Sequence, residues 1–222
     1  MRIYLVFLFL LLYFQSSAQL KNPNNNPVPA KVMSPLSTYS VEWNQAQYVA
    51  CNTAKDIKYM TAKEKEVIYI LNLIRSNPSL FAKTVLAAYP EKGNQPWLSA
   101  LDNYKTLVDT LLVLPPLNLL KPDYRCYQSA YCHAQSCSKK GLMGHDRKTA
   151  ECEKKTYFNG ECIDYGFQDP LDILLHLMID EGVPSLGHRL ICISSYNGIG
   201  VSIQNHKSYT YSTVLDFTFA RE

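Results

Sequence analysis

One segment limits the fold more than any other: residues 169–182 predict a helix that is apolar almost all round. Asp169 is a suitable N-cap, Pro170 suits the first helical position, and Gly182 follows the predicted end. A helix that lacks a continuous polar face has to be covered by protein on most sides. We therefore expect this helix to lie at the centre of the domain, with the other elements packed around it.

Periodic patterns elsewhere predict four earlier helices and a final hairpin. Thr61 and Glu64 form a capping-box pattern that begins the first helix, which Asn77-Pro78 ends. Alternating apolar residues near the C-terminus predict two strands joined by a turn. Helices followed by strands indicate an α+β fold in which helices cover an antiparallel sheet. The predicted segments are helices at 61–77, 79–90, 97–114 and 122–141, and strands at 199–204 and 209–217.

The segment 142–167 shows neither a helix nor a strand period, and we expect a long loop there. Loops of this length in a compact domain are usually functional or disordered. The sequence therefore draws attention to the polar residues within this loop and to those that follow the central helix.

The N-terminus predicts export. Residues 1–18 combine Arg2, an apolar run from Ile3 to Phe14 and small residues before a cleavage site. This pattern is typical of a secretory signal peptide cleaved after Ala18. The run is shorter than the roughly 20 residues that span a bilayer, so we expect no membrane span after cleavage and a secreted or periplasmic protein. Residues 19–60 are predicted to form an Asn/Pro-rich linker and a loosely packed lead-in, followed by one domain at 61–222.

The charge of the chain limits the expected partners, and its cysteine content predicts disulfides. Removing residues 1–18 takes away Arg2 alone and leaves 21 basic against 19 acidic residues, without a basic block, so nucleic acid is not an expected partner. The seven cysteines of an exported chain are expected to form disulfides. The odd number leaves at least one thiol unpaired, and the sequence does not determine the pairing.

Four polar groups lie in or beside glycine-containing loops: His145, Glu161, His188 and the adjacent pair Asp180-Glu181. Imidazole and carboxylate groups are natural ligands for a zinc-like ion, and the same groups can act as general base and acid. They can equally cap loops and bind the backbone. Their spacing along the chain does not decide between these alternatives, because only folding can bring the four groups together.

The other histidines are expected to serve the structure. His176 and Asp180 are one helical turn apart and can bind a metal, although a buried His/Asp pair is the preferred interpretation. His133 is predicted to be a helix-surface residue, and His206 is predicted to lie in the hairpin turn.

The order of these motifs resembles the CAP superfamily, also called SCP-like, of cysteine-rich secretory proteins, antigen 5 and pathogenesis-related proteins. The motifs are Gly144-His145 after a helix, Gly160-Glu161, the apolar helix that ends in an acid, and Gly187-His188-Arg189 before a Gly-x-Gly-x strand. The segment 183–189 is most similar to the shorter bacterial secreted CAP domains. The resemblance covers about residues 61–217. It implies a three-layer α-β-α sandwich, with helices first and an antiparallel β-hairpin at the C-terminus.

The resemblance also implies a central cleft with two histidines and two acids. His145 and His188 match the family histidines, which bind zinc in some members, and Glu161 matches the glutamate of a Gly-Glu-Asn motif. Asp180 is the second acid by its position, with Glu181 as the alternative. Cys162 stands where the family usually has Asn, which leaves the metal affinity open.

Three functions are compatible with these features. The preferred hypothesis is a secreted binding module for a lipid or sterol-like, envelope or protein ligand, with zinc as the candidate ion. The first alternative is a metal-assisted hydrolase that acts on peptide or cell-envelope material, with Glu161 as the base that activates a bound water and Asp180 as the second catalytic carboxylate. The second is a structural interaction domain in which the polar cluster only ties loops together. The resemblance does not choose among them, because CAP proteins share no single reaction.

Overall fold

Eight α-helices and a four-stranded sheet make up the part of the chain that the computed structural model describes, residues 33–219. The predicted signal peptide and the Asn/Pro-rich segment up to residue 32 lie outside the described residues. Within the described range, none of the helices has both the length and the apolar character needed to cross a bilayer. The mixture of helices and a sheet confirms the predicted α+β class.

The helices begin and end largely where the sequence patterns predict. At the first helix, the Thr61 backbone amide donates to Glu64 Oε2 (2.7 Å) and the Glu64 amide donates to Thr61 Oγ1 (3.3 Å), which is the predicted capping box. The helices are α1 (Ala62–Ser76), α2 (Pro78–Phe81), α3 (Ala87–Lys92), α4 (Asp102–Val113), α5 (Tyr124–Lys140), α6 (Ala150–Lys155), α7 (Pro170–Ile179) and α8 (Gly187–Cys192).

Two predicted helices are interrupted. The segment predicted at 79–90 contains a π-helical turn, Ala82–Leu86, and its last helix continues through Pro90 to Lys92. The segment predicted at 97–114 consists of a short 3-10 helix, Pro96–Ala100, and α4, because Leu101 between them is extended. Apolar periodicity continues across such breaks and therefore does not reveal them.

The prediction of one long loop at 142–167 is wrong. This segment contains α6 and the strand β2, Gly160–Tyr165. Each has only six residues, and five of the six in β2 are buried, so neither alternation nor helical spacing can be recognised. Helix α8 was missed for the same reason: it is a six-residue helix that follows a loop rich in glycine and proline.

The sheet is mixed, with strand order β1-β3-β4-β2. The predicted C-terminal hairpin is confirmed as β3 (Gly198–His206) and β4 (Thr210–Thr218), which pair antiparallel. The edge strand β2 pairs antiparallel with β4, and at the opposite edge the two-residue β1 (Lys121–Pro122) runs parallel to β3. In this register Glu161 of β2 lies directly opposite Asp216 of β4.

Helices cover both faces of the sheet. On one face α5 packs against β3 and β4, where Ala130 and Ala134 contact Ile163 and Val214. The other face carries the larger core, to which α1 and α7 contribute. Apolar residues of α7 are buried around most of its circumference, as predicted for a central helix.

The lead-in at residues 33–60 is packed more closely than its lack of periodicity predicts. Leu36 and Trp43 are fully buried, and Tyr48 lies in the same core. Two short 3-10 helices, Val41–Asn44 and Ala46–Cys51, carry Trp43 and Tyr48 to this position. Short 3-10 segments have no amphipathic repeat long enough to detect, so the sequence pattern did not show this packing.

The closest approach between α5 and the sheet occurs at Gly200 of β3. A Cβ atom at this position would lie 2.0 Å from Tyr127 N and 2.3 Å from Cys126 C. Since both atoms belong to the backbone of α5, the helix would have to move. We expect Gly200→Ala to lower the free energy of unfolding by about 1 to 3 kcal/mol or more, measured by urea denaturation.

Gly187→Ala is the matched control, because its Cβ would meet only Ser185 Oγ at 3.5 Å and Gly187 begins a helix. This variant should unfold at nearly the same urea concentration as the wild type. Equal midpoints for the two variants would contradict the tight contact between α5 and β3.

Candidate functional site

His145 is carried by the loop between α5 and α6. The disulfide Cys132–Cys152 closes this loop by joining the two helices. Gly144, with a φ of +92°, allows the turn just before His145. The Gly144 carbonyl accepts a hydrogen bond from His133 Nε2 (2.9 Å), and the Gly144 amide donates to the Tyr165 hydroxyl (2.9 Å). The loop is therefore held by contacts on both sides of Gly144.

The histidines that hold this loop are more buried than their sequence context predicts. His133 is 1% exposed, so its assignment to the helix surface is wrong. His206 ends β3 beside the hairpin turn and is also buried, and its Nε2 donates to the Leu142 carbonyl (3.0 Å). Both imidazoles thus bind carbonyl groups of the segment that leads to His145.

Glu161 reaches His145 from the edge strand β2. Its side chain is 2% exposed, and its Oε1 accepts a hydrogen bond from His145 Nδ1 at 2.8 Å. Its other oxygen, Oε2, forms an ion pair with Arg147 Nη2 at 2.6 Å. The side chain of His145 is more than half exposed, so a buried carboxylate holds an imidazole that faces solvent.

Asp180 and His188 form a second pair of the same kind. Asp180 caps α7 in the left-handed conformation, with φ 55° and ψ 42°, which Asp tolerates better than most residues. Its Oδ2 accepts from the His188 backbone amide (2.9 Å), and its Oδ1 accepts from His188 Nδ1 (2.7 Å). Glu181 is exposed and has no such contact among the described residues, so the structure places Asp180 beside His188.

Arg189 secures the loop that presents His188. Its side chain is buried, and its guanidinium donates to the Met178 and Ile179 carbonyls at the end of α7 and to the Asn103 carbonyl of α4. A buried arginine that satisfies carbonyls at a helix end does not face the candidate site, and it fixes the position of α8 relative to α7.

Folding brings the two histidines together. The ring centroids of His145 and His188 lie 6.2 Å apart, and the ring planes differ by 29°. A carboxylate oxygen accepts from Nδ1 of each ring, so Nδ1 carries the hydrogen in the neutral imidazole and Nε2 carries the lone pair. Among the described residues, neither Nε2 has a hydrogen-bond partner. The site therefore presents two nitrogen acceptors with fixed tautomers.

Arg147 and Asp216 belong to this cluster and were not predicted. The Arg147 side chain is 6% exposed and lies between Glu161 Oε2 (2.6 Å) and Asp216 Oδ2 (3.6 Å). Asp216 is fully buried, and neither of its oxygens has a hydrogen-bond partner in the described structure that meets strict geometry. Its signal in the sequence is a single charged residue, between Leu215 and Phe217, in a strand whose other residues are uncharged.

The buried charges shift the pKa values of Glu161 and Asp216 in opposite directions. Burial by itself raises the pKa of Glu161, but the hydrogen bond from His145 and the positive charge of Arg147 outweigh it and lower that pKa to about 2. Burial and the adjacent Glu161 charge raise the pKa of Asp216 well above its usual range. The hydrogen bond to Glu161 raises the pKa of His145 against the opposing effect of burial.

These pKa values decide what Glu161 can do. A general base works best when its pKa is near the operating pH, and a carboxylate with a pKa of about 2 holds a proton poorly at neutral pH. Both of its oxygens already bind His145 and Arg147. The geometry therefore favours an orienting role for Glu161 over the role of base in a hydrolase.

The donor chemistry of the histidine pair fits a zinc ion. A histidine that binds a metal commonly donates its other ring N–H to a carboxylate, and both rings have this arrangement. Across residues 33–219, no group of three or more His, Cys, Asp or Glu side chains is arranged to hold a metal ion. Any ion here would be held by the two Nε2 atoms and would keep open positions for water or a ligand.

A third histidine–carboxylate pair lies on α7. His176 Nδ1 binds Asp164 Oδ1 of β2 rather than Asp180, so the preferred interpretation of a His176/Asp180 pair is wrong. Asp164 is fully buried, whereas the His176 side chain is half-exposed and packs against Phe167, with ring centroids 5.1 Å apart. The hydrogen bond that His176 donates to Asp164 raises the pKa of His176. Burial opposes this shift, and the charges of Asp164 and Asp180 add to it.

The His176 pair should make stability depend on pH. Because the pKa of His176 is higher in the folded chain than its ordinary value of 6.5, the pair stabilises the fold fully below pH 6.5. That stabilisation is lost as the pH rises through the folded pKa. NMR titration of the His176 ring should give a midpoint above 6.5, and Asp164→Asn should lower it. An unchanged midpoint in this variant would contradict the assignment.

Two comparisons of the sequence with known proteins found no match. No model of a known protein family matches the sequence, and no curated protein is significantly similar to it.

Proposed function

We propose that this chain is a secreted protein of the CAP superfamily and that its domain is a three-layer α-β-α sandwich. Helices on both faces of the sheet and a C-terminal hairpin support the proposed fold. The ordered motifs from Gly144-His145 to Gly187-His188-Arg189 support the family, and residues 1–18 support export. In this proposal, residues 61–222 form the CAP domain and the lead-in packs against it.

The proposed function is that of a metal-dependent binding module. One observation carries it: the rings of His145 and His188 lie 6.2 Å apart, and a buried carboxylate holds Nδ1 of each. Zinc binds imidazole nitrogen at about 2.0 to 2.1 Å, and rings whose centroids are 6.2 Å apart are within reach of one shared ion. Glu161 and Asp180 then act as the carboxylates that orient the ligands.

The ligand of the module would complete the coordination of the ion. When two protein nitrogens bind a tetrahedral zinc ion, its other positions stay open for water or a ligand oxygen. We propose that a lipid or sterol-like, envelope or protein ligand supplies this donor. The arrangement serves binding rather than turnover, because Glu161 has too low a pKa to activate water efficiently.

Equilibrium dialysis against zinc tests the metal part of this function. At a pH above the raised pKa of His145 we expect one zinc ion per chain, displaced by a chelator. We also expect little competition from magnesium, which prefers oxygen ligands and keeps its water. Zinc bound at background level, or magnesium competing on equal terms, would refute the proposal of an imidazole site.

A further inference from the structure

Two cysteine thiols lie directly behind the candidate site. Cys162 is on β2 and Cys192 is the last residue of α8, and both side chains are fully buried. Strand β2 and helix α8 pack against each other. In addition, the Cys162 thiol donates to the His188 carbonyl with an S···O distance of 3.6 Å, and His188 lies one helical turn before Cys192.

The positions of these thiols link them to both halves of the histidine pair. Cys162 follows Glu161, which holds His145, and Cys192 is on the short helix that carries His188. A covalent bond between the two sulfurs would join the edge strand to this helix. Helix α8 has only six residues, so it depends on such tertiary contacts more than a longer helix does.

The environment of Cys162 does not suit a reactive thiol. Burial, followed by the interaction with Cys192, raises its pKa well above the ordinary value. A thiol that stays protonated is a poor nucleophile and a poor metal ligand. Burial also raises the pKa values of Cys51 and Cys126, and Cys137 Sγ lies 3.6 Å from His133 Nδ1.

We propose that Cys162 and Cys192 form a second disulfide of this protein, in addition to Cys132–Cys152. The oxidant is a small-molecule disulfide such as glutathione disulfide. Cys162 and Cys192 lose two protons and two electrons as their S–S bond forms, and these protons and electrons convert the oxidant S–S bond to two thiols. Because both thiols are buried, the exchange takes place while the chain folds or when α8 opens locally.

Disulfide mapping tests this pairing. The full chain is reduced, refolded in a glutathione redox buffer, alkylated, digested without reduction and analysed by mass spectrometry. We expect linked peptides for Cys162–Cys192 and Cys132–Cys152, with alkylated Cys51, Cys126 and Cys137. Alkylated Cys162 and Cys192, or their linkage to other cysteines, would overturn the proposal.

Thermal unfolding provides a second test that does not depend on the metal. A disulfide that closes a loop of this length should raise the melting temperature by roughly 10 °C. A reducing agent should therefore lower the melting temperature of the wild type more than that of Cys162→Ser/Cys192→Ser, which retains only Cys132–Cys152. Cys126→Ser, a buried cysteine outside the pair, should respond like the wild type. Equal responses of the wild type and the double variant would overturn the pairing.

Discussion

Replacing Arg147 with alanine should lower the free energy of unfolding by about 3 to 5 kcal/mol, the usual cost of removing one partner from a buried ion pair. Arg147 lies 2.6 Å from Glu161 Oε2 and 3.6 Å from Asp216 Oδ2, and both acids are buried. Without the guanidinium, two adjacent carboxyl groups remain in the interior. Urea denaturation of the wild type and the variant measures the loss.

Arg125 provides the matched control. It is an exposed arginine that stacks on Tyr157 at 3.7 Å from the ring centroid, and it has no buried acid beside it. Arg125→Ala should cost about 0.5 to 1 kcal/mol. If the Arg147 and Arg125 variants lost equal stability, the buried ion pair would not be a main support of the site.

A second variant separates charge from packing. Glu161→Gln removes the charge that Arg147 balances, so combining it with Arg147→Ala should cost less than the sum of the two single changes. A strictly additive loss would show that the arginine acts only through its packing, for example against Phe158, whose ring centroid is 5.0 Å from the guanidinium carbon.

The double variant His145→Ala/His188→Ala should bind zinc at least roughly 100-fold more weakly than the wild type. Loss of one outer-shell partner of a metal ligand already costs about 10- to 100-fold in affinity, and this variant removes both nitrogen ligands. Isothermal titration with zinc at a pH above the raised pKa of His145 measures the effect, because a protonated ring cannot bind the ion.

His176→Ala is the control for this variant. His176 is also a solvent-facing imidazole whose Nδ1 binds a buried carboxylate, but its partner is Asp164 and it is not part of the facing pair. Zinc affinity should be unchanged in this variant. A loss of affinity in His176→Ala equal to that of the double variant would indicate non-specific binding to exposed histidines. Unchanged zinc affinity in the double variant, together with a lower melting temperature, would favour a structural interaction domain.

The sequence predicts the long elements better than the short elements. Helix α1 follows from its capping box, and α7 from its Asp-Pro start and apolar composition. The hairpin follows from strict alternation. By contrast, β2 is buried on both faces and α6 and α8 are only six residues long, so tertiary contacts rather than local patterns determine them.

The same distinction applies to the site. The sequence singles out His145, Glu161, Asp180 and His188 because polar residues stand beside glycine loops. It does not choose between Asp180 and Glu181, since that choice depends on the left-handed cap that ends α7 two residues before Gly182. Arg147 and Asp216 were missed because Asp216 meets Glu161 only through the pairing of β2 with β4, which no local pattern encodes.

Ring-nitrogen NMR during a zinc titration reports each nitrogen of His145 and His188 separately and so shows directly whether the two rings share one ion. Zinc should shift the Nε2 signals of His145 and His188 together, while Nδ1 of each ring stays protonated and hydrogen-bonded to Glu161 or Asp180. Shifts at His176 instead, or no zinc-dependent change at His145 and His188, would contradict a zinc site at this histidine pair.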